Sequence, residues 1–370
     1  MIRVLVVDDS LVIRGMIRQI LKREDDIEII STSTNGLEAV ENYKSYRPDI
    51  VLMDIEMPEM NGIDAVRRII NDDKKAKIIM CSTLTHKGAE ITIEAMEAGA
   101  TDYIAKPTAD DPKDGPLSFP VQLVTKIRQI SGKGTGPKIS HERLPADPTN
   151  IKTTLVESAK VFATEDKPVT TRLIPPNFKT PKAIAIGSST GGLEPIFSVL
   201  KELASDLTVP VFITQHMPAT FTKILAQHIR DRTGLDAHEA ADGMVVKNGT
   251  VYVAQGGKHL SVSKKGDDVI CNLLDTPPEN YCKPSADPMF RSVLEVYKSQ
   301  IIVVVLTGMG NDGLIGARQL VEGGNNILFA QDKTTSVVWG MPGAVAKAGL
   351  CHGIMPPDGI GKKIAGLLKA

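Results

Sequence analysis

The chain has 370 residues, room for two or three domains. Its 42% hydrophobic and 24% charged composition suits a soluble globular protein, and a net charge of −1 gives no footing for a nucleic-acid partner or an acidic membrane surface. The longest aliphatic run, 301–306, is far too short to cross a bilayer, so no direct membrane insertion is expected.

Acids follow the first apolar stretch, MIRVLVVDDS, so no signal peptide is expected either. Cys81, Cys271, Cys282 and Cys351 show no Cys-x-x-Cys spacing and no His/Cys metal cluster. They read as reduced core or surface thiols, and a cytoplasmic address follows.

In residues 1–107 short apolar runs alternate with helical patterns. Stretches 2–7, 50–53, 78–80 and 103–105 read as buried strands of a parallel sheet with helices on both faces. A helix over 117–130, with Val121, Val124, Ile127 and Ile130 on one face, closes the unit at residue 130. Residues 131–180 carry scattered Gly, Pro, Thr and Lys and read as a flexible linker, with a short helix near 154–162. From 181 to 370 strand–helix alternation resumes. Core strands are expected at 183–186, 209–214, 301–306 and 327–330, and 251–254 with 260–262 as a β-hairpin insert across Gln-Gly-Gly-Lys. The fold class is α/β throughout.

In the first unit, strand one ends in Asp8-Asp9 and strand three in Asp54. Ligands of open parallel sheets sit at the carboxyl ends of the strands, so three carboxylates converge there. Such a cluster repels itself unless a hard cation fills it, and Mg²⁺ prefers carboxylate oxygens. Strand four ends in Ser82 and strand five in Lys106-Pro107, adding a hydroxyl and an ammonium. Together these parts suit an aspartyl phosphate. VVDDS, LMDIEMPEMNG, MCSTL and IAKP resemble the signature stretches of response-regulator receiver domains with a (βα)5 fold. The resemblance implies that a histidine kinase phosphorylates Asp54. It implies Mg²⁺ ligation by Asp9, Asp54 and the Glu56 carbonyl, with Asp8 helping through water. Ser82 and Lys106 would sense the phosphoryl group, with Tyr103 as the aromatic switch.

The second unit opens with AIAIGSSTGG, a strand, a glycine-flanked turn and a helix. A phosphate-binding turn is one reading, but GSSTGG is not Gly-x-Gly-x-x-Gly and lacks a P-loop lysine. Gly187-Ser188-Ser189-Thr190-Gly191 fits Gly-x-Ser-x-Gly, with Ser189 lifted at the strand end as a nucleophile. Leu193, Ile196, Phe197, Leu200 and Leu203 give the next helix an apolar face, and its N-terminal amides could stabilise an oxyanion. Of the seven histidines, His216 ends the strand that directly follows, which places a base at the same sheet edge. An orienting carboxylate is expected too. Asp312 and Asp332 both end core strands, with Asp287 a third candidate. Spacing does not choose, and the glycine-rich TGMGNDG loop tilts the choice to Asp312.

IGSSTGG, ITQHMP, KPSADPMFRSV, LTGMGNDG and WGMPGAV resemble the catalytic domain of chemotaxis protein-glutamate methylesterase/glutamine deamidases. The resemblance implies a doubly wound parallel-sheet domain in which Ser189 is nucleophile, His216 base and Asp312 orienting acid. Thr190 and the Met309 backbone N–H would bind substrate and oxyanion. It further implies a phosphorylation-activated hydrolase that releases methanol from receptor glutamate esters, deamidates receptor glutamines, and needs no cofactor for hydrolysis. Its partners would be chemoreceptors and a chemotaxis histidine kinase, and a monomer is expected. Ser188 stands where family members often carry Ala, and the linker is longer than in enteric members.

Overall fold

The computed structural model describes residues 1–83, 85–108, 115, 118–133 and 169–369. Strands β1 (Ile2–Val7), β2 (Ile27–Ser33), β3 (Ile50–Asp54), β4 (Ile78–Ser82) and β5 (Asp102–Ala105) form a sheet in the order β2-β1-β3-β4-β5. Every pairing is parallel. Helices α1 (Leu11–Leu21), α2 (Gly36–Tyr46), α3 (Gly62–Asp72), α4 (His86–Glu97) and α5 (Phe119–Ser131) follow the strands in turn. IRVLVV and IVLMD lack alternation because both sheet faces are covered. Ser10, Asn35, Asn61 and Thr85 start α1 to α4 by accepting a hydrogen bond from the third helical N–H.

Two sequence expectations change here. The second strand, IEIISTS, lies at the sheet edge with Glu28 exposed, and its polar second half hides it in the sequence. Helix α5 starts at Phe119, and Leu123 rather than Val121 completes its buried face with Val124, Ile127 and Ile130. Val121 is exposed, about 200° around the helix from Leu123.

The second domain holds a seven-stranded parallel sheet, order β14-β13-β12-β6-β7-β9-β8. Its strands are β6 (Ala183–Ser188), β7 (Val211–Gln215), β8 (Asp236–Glu239), β9 (Thr250–Val253), β12 (Ile301–Val305), β13 (Ile327–Gln331) and β14 (Gly353–Met355). A hairpin of β10 (His259–Lys265) and β11 (Asp268–Leu274) stands apart as a two-stranded antiparallel sheet. The expected hairpin pairing is therefore corrected. TVYV in β9 is buried throughout and pairs parallel to β7, so Gln-Gly-Gly-Lys links two different sheets. The real turn is Gly266-Asp267, where Gly266 takes a left-handed φ of 64°.

Helices α6 (Leu193–Leu203), α7 (Ala219–Thr233), α8 (Ala286–Tyr297), α9 (Leu314–Glu322), α10 (Met341–Lys347) and α11 (Pro357–Leu368) cover the sheet. The five apolar residues expected on α6 are all buried. The expected linker is already bound to this domain by Arg172, whose backbone N–H donates to Cys351 and whose Nε donates to Gly349, both at 2.7 Å. The short helix expected near 154–162 lies outside the described residues. Among the described residues no helix is long and apolar enough to cross a membrane.

The domains meet on two fronts. Helix α4 packs on α7, where Glu97 pairs with His228 at 2.8 Å and Tyr103 stacks on Phe221 with ring centroids 4.7 Å apart. Val338 joins the apolar cluster of Ile104, Phe119 and Leu123, and Met309 and Val337 pack against it.

Candidate active site

Strand β6 lies between β7 and β12, and the chain leaves it in opposite directions on the two sides. That is the switch point where an open parallel sheet has its crevice. Ser189 emerges there from β6. Its N–H donates to the Thr307 carbonyl at 3.0 Å, and its carbonyl accepts from Gln215 Nε2 at 2.8 Å. The turn depends on two glycines. Gly191 has φ 73°, and a Cβ on Gly308 would lie 2.8 Å from Ser189 Cβ. Ser188 is buried, and its Oγ faces the Thr307 carbonyl at 3.3 Å.

His216 follows β7, and its N–H donates to the Ser188 carbonyl at 3.2 Å. Its Nδ1 lies 3.0 Å from Ser189 Oγ, and its Nε2 lies 2.7 Å from Asp312 Oδ2. Asp312 is buried and accepts from Ser285 Oγ at 2.6 Å, Asn280 Nδ2 at 2.9 Å and Ala286 N at 2.7 Å. Burial alone would raise this carboxyl; His216, Ser285 and the Ala286 N–H outweigh it and hold the pKa below the ordinary range. Burial likewise pulls His216 down, but the Cys282 sulfur and the Asp312 carboxylate leave its pKa above the usual imidazole value. The arrangement is a proton relay: a hydroxyl, an imidazole able to take its proton, and a carboxylate that steadies the imidazolium.

Of the three aspartates, Asp312 is the one that meets His216 among the described contacts. Asp332 turns into its own loop, accepting from the N–H groups of Thr334 at 2.8 Å and Thr335 at 3.0 Å. Asp287 meets Gly316 N at 2.6 Å and Asn280 Nδ2 at 2.9 Å, and burial with the neighbouring Asp312 charge pushes its pKa up to about 6. The other described histidines lie elsewhere. His86 and His238 pair with Glu90 and Asp236, His259 bridges Pro277 and Ser285, and His352 accepts from Leu328 N. His141 lies outside the described residues. Thr190 is buried, its carbonyl held by Thr307 Oγ1 at 3.0 Å, and Met309 is half-buried beneath the first domain.

Sequence reasoning missed Asn280, Ser285 and Thr307 as supports, although the last two fall within stretches singled out above. It also read Cys282 as an ordinary core or surface thiol. The structure puts its Sγ 3.3 Å from His216 Nδ1.

In the first domain Asp8 and Asp54 are buried at the ends of β1 and β3, and Asp9 is exposed beside them. One oxygen from each lies within 4.8 Å of the others. Lys106 Nζ sits 2.9 Å from Asp8 and 2.8 Å from Asp54. Burial and the Asp8 charge raise the Asp54 carboxyl despite Lys106. Against its own burial, Lys106 is raised by the same two carboxylates. Asp8 Oδ2 is buried with the Lys106 ammonium as its close partner, so three converging carboxylates share that one counter-charge, a donor set that fits a hard cation. Ser82 is buried, bonded to Gly88 and Thr92. The Glu56 side chain points away, 3.3 Å from Lys87, which leaves only its backbone for the expected ligand role.

Fold and sites together define a two-domain response regulator whose output domain is a hydrolase. A family profile described as "CheB methylesterase" matches residues 184–364, and "Response regulator receiver domain" matches 4–112. The chain is 40% identical to a "Protein-glutamate methylesterase/protein-glutamine glutaminase" of Rhodopseudomonas palustris (strain BisB5), over 99% of this chain and 94% of the relative. It is 42% identical to one numbered 1 in Paramagnetospirillum magneticum, over 96% and 93%. The Thermotoga maritima CheB methylesterase catalytic domain superposes with a TM-score of 0.49 at 36% identity, over 51% of this chain and 99% of that one. The chain belongs to the receiver-linked CheB methylesterase family.

Proposed function

We propose that this chain is a phosphorylation-activated serine hydrolase of chemotactic adaptation. It removes methyl groups from glutamate methyl esters of chemoreceptors and deamidates receptor glutamines to glutamate. The reading rests above all on one observation: Ser189 Oγ, the two His216 nitrogens and Asp312 form a continuous relay at 3.0 and 2.7 Å.

Ser189 Oγ attacks the ester carbonyl while His216 Nδ1 takes its proton. The Thr190 region and the Met309 backbone N–H receive the developing oxyanion. His216 then protonates the departing methanol, or ammonia from a glutamine, and water releases free glutamate. Asp312, ionised by its three donors, keeps Nε2 protonated and turned so that Nδ1 faces the serine. The hydrolysis uses no cofactor.

Asp54 is the phosphorylation site, with a chemotaxis histidine kinase as donor. Asp8, Asp9, Asp54 and the Glu56 carbonyl would hold Mg²⁺, which supplies charge neutralisation among the carboxylates and phosphoryl oxygens. Ser82 and Lys106 read the phosphoryl group. Tyr103 carries the change to the second domain through Phe221, while the cluster over Met309 restricts the crevice in the resting chain. The protein acts as a cytoplasmic monomer with domains 1–130 and 181–370 joined by the segment between.

Methanol release from methylated chemoreceptor membranes tests this, with and without acetyl phosphate and Mg²⁺. Release that rises with the phosphodonor and is lost in Asp54→Ala is expected. No release under either condition discards the chemoreceptor as substrate.

A further inference from the structure

Hydrolysis as described leaves one nucleophile at the crevice unused. Cys282 Sγ lies 3.3 Å from His216 Nδ1, the nitrogen that Ser189 Oγ meets at 3.0 Å. Nδ1 carries one proton at most, so serine and cysteine compete for the same acceptor. When the cysteine proton resides on the ring, a thiolate stands beside an imidazolium at contact distance, and each stabilises the other.

The sulfur is held there. Cys282 and Glu279 exchange backbone hydrogen bonds at 2.8 and 3.2 Å, and the two terminal guanidinium nitrogens of Arg291 clamp Glu279, at 3.0 and 2.7 Å. Between them, Asn280 donates to Asp312 and Asp287. The segment bearing the thiol is thus tied to the carboxylate that orients His216. The remaining cysteines differ in kind. Cys81, Cys271 and Cys351 are buried, and burial pushes their thiols up to about 12, whereas Cys282 is partly open to solvent.

We propose that Cys282 is a reversible oxidation site that switches off Ser189, with a hydroperoxide as oxidant. The thiolate sulfur attacks one peroxide oxygen; an S–O bond forms and the O–O bond breaks. Sulfur loses two electrons and the peroxide gains them. The departing alkoxide or hydroxide takes the proton from His216 Nδ1 and leaves as alcohol or water. The product is a sulfenic acid whose hydroxyl occupies Nδ1, so the imidazole no longer accepts from Ser189. With the other three cysteines buried, reduction falls to an external thiol. It condenses with the sulfenic acid, expelling water, and a second thiol frees Cys282 as the small disulfide departs.

The proposal rests on the Cys–His geometry and is independent of which ester the enzyme serves. The test uses the full chain in two arms. In the first, iodoacetamide is added near neutral pH and alkylation of each cysteine is followed by peptide mass mapping. Cys282 should react at least about tenfold faster than the other three, and His216→Gln should slow it by about tenfold. In the second, hydrogen peroxide is followed by the sulfenic-acid trap dimedone, and p-nitrophenyl acetate hydrolysis is read before and after. The adduct should map to Cys282, hydrolysis should fall by at least about fivefold, and dithiothreitol without the trap should restore it. In Cys282→Ser the peroxide response should vanish, read as the ratio of rates after and before treatment. Two results overturn the proposal: Cys282 alkylation no faster than that of glutathione and indifferent to His216→Gln, or peroxide inhibition that persists in Cys282→Ser. The alkylation arm needs no activity, so it decides even if a variant hydrolyses poorly or the receptor substrate proves wrong.

Discussion

His216 turns Nε2 to Asp312 at 2.7 Å and presents Nδ1 to Ser189 at 3.0 Å. In the proposed relay the carboxylate fixes which nitrogen keeps the proton and which accepts the serine's. Asp312→Asn would present an amide to Nε2 and favour the wrong tautomer. The kcat for ester hydrolysis should fall by about 10³–10⁴, with KM little changed. Ser285 and Asn280 keep their partner at the amide oxygen, whereas the Ala286 N–H, which shares Oδ2 with His216 Nε2, loses its acceptor, so thermal stability should fall by about 1–3 kcal/mol, the cost of one unpaired buried donor. A loss below tenfold would remove Asp312 from the relay.

Adjacent hydroxyls at Ser188 and Ser189 invite confusion in labelling, and burial separates them. Ser188 is 0% exposed and faces the Thr307 carbonyl, while Ser189 faces His216. A fluorophosphonate should modify Ser189 alone, and Ser189→Ala should abolish both labelling and hydrolysis while Asp54 still accepts phosphate from acetyl phosphate. A label recovered on Ser188 would overturn the nucleophile assignment.

The strands that position both sites were legible because they are long apolar runs stopped by Asp or by Gly-Ser. IRVLVV before Asp8 and AIAIGS before Ser189 are the clearest. The edge strands β8 (DAHE) and β14 (GIM) were not, the first because it is mostly polar and the second because it is only three residues long. β9 was read with the wrong partner because a glycine pair looks alike in a hairpin and in a link between sheets. Asp312 and Asp332 follow neighbouring strands, so position could not separate them. The signal lay downstream of Asp332, in Lys-Thr-Thr: an aspartate followed by threonines closes its own turn. Cys282 meets His216 across 66 residues, through a turn without periodicity, and nothing local announces that contact.

Activity should follow His216 with a displaced pH profile. The base must be neutral to accept the serine proton, and its pKa lies above the usual imidazole value. Ester kcat/KM should therefore rise with pH through a midpoint above about 6.5, the ordinary histidine value. Cys282→Ser removes one of the two groups that raise it, so the midpoint should move down. A midpoint at or below the ordinary value, or one indifferent to Cys282→Ser, would contradict the charged neighbourhood described here.

Charge in the acid pocket should make the cation measurable without any catalysis. Asp8, Asp9 and Asp54 crowd one another with Lys106 the counter-charge beside Asp8 and Asp54, so a divalent ion that binds only the folded state should stabilise it. Mg²⁺ at about 100 times its Kd should add about 2.7 kcal/mol to receiver stability, read as a rise in the unfolding midpoint that EDTA reverses. Asp9→Asn, altering the exposed member, should weaken that response and leave the ion pairs of Lys106 in place. An unfolding midpoint that ignores Mg²⁺ would speak against a cation site.

Tyr103 belongs to the first domain and Phe221 to the second, and their rings stack at an interplanar angle of 11°. Such a pair contributes about 0.5–1.5 kcal/mol beyond area burial, or roughly 2- to 13-fold in an equilibrium. If docking over Met309 restricts the crevice, that is the factor by which Tyr103→Ala should raise ester hydrolysis by the unphosphorylated chain. Saturating acetyl phosphate should erase most of the difference, because both forms are then released. Phe221 is a poor target for the same test, since it is fully buried and its truncation would open a core cavity costing about 3–5 kcal/mol. Unphosphorylated Tyr103→Ala hydrolysing at the wild-type rate would mean that this stack joins the domains without holding the crevice shut.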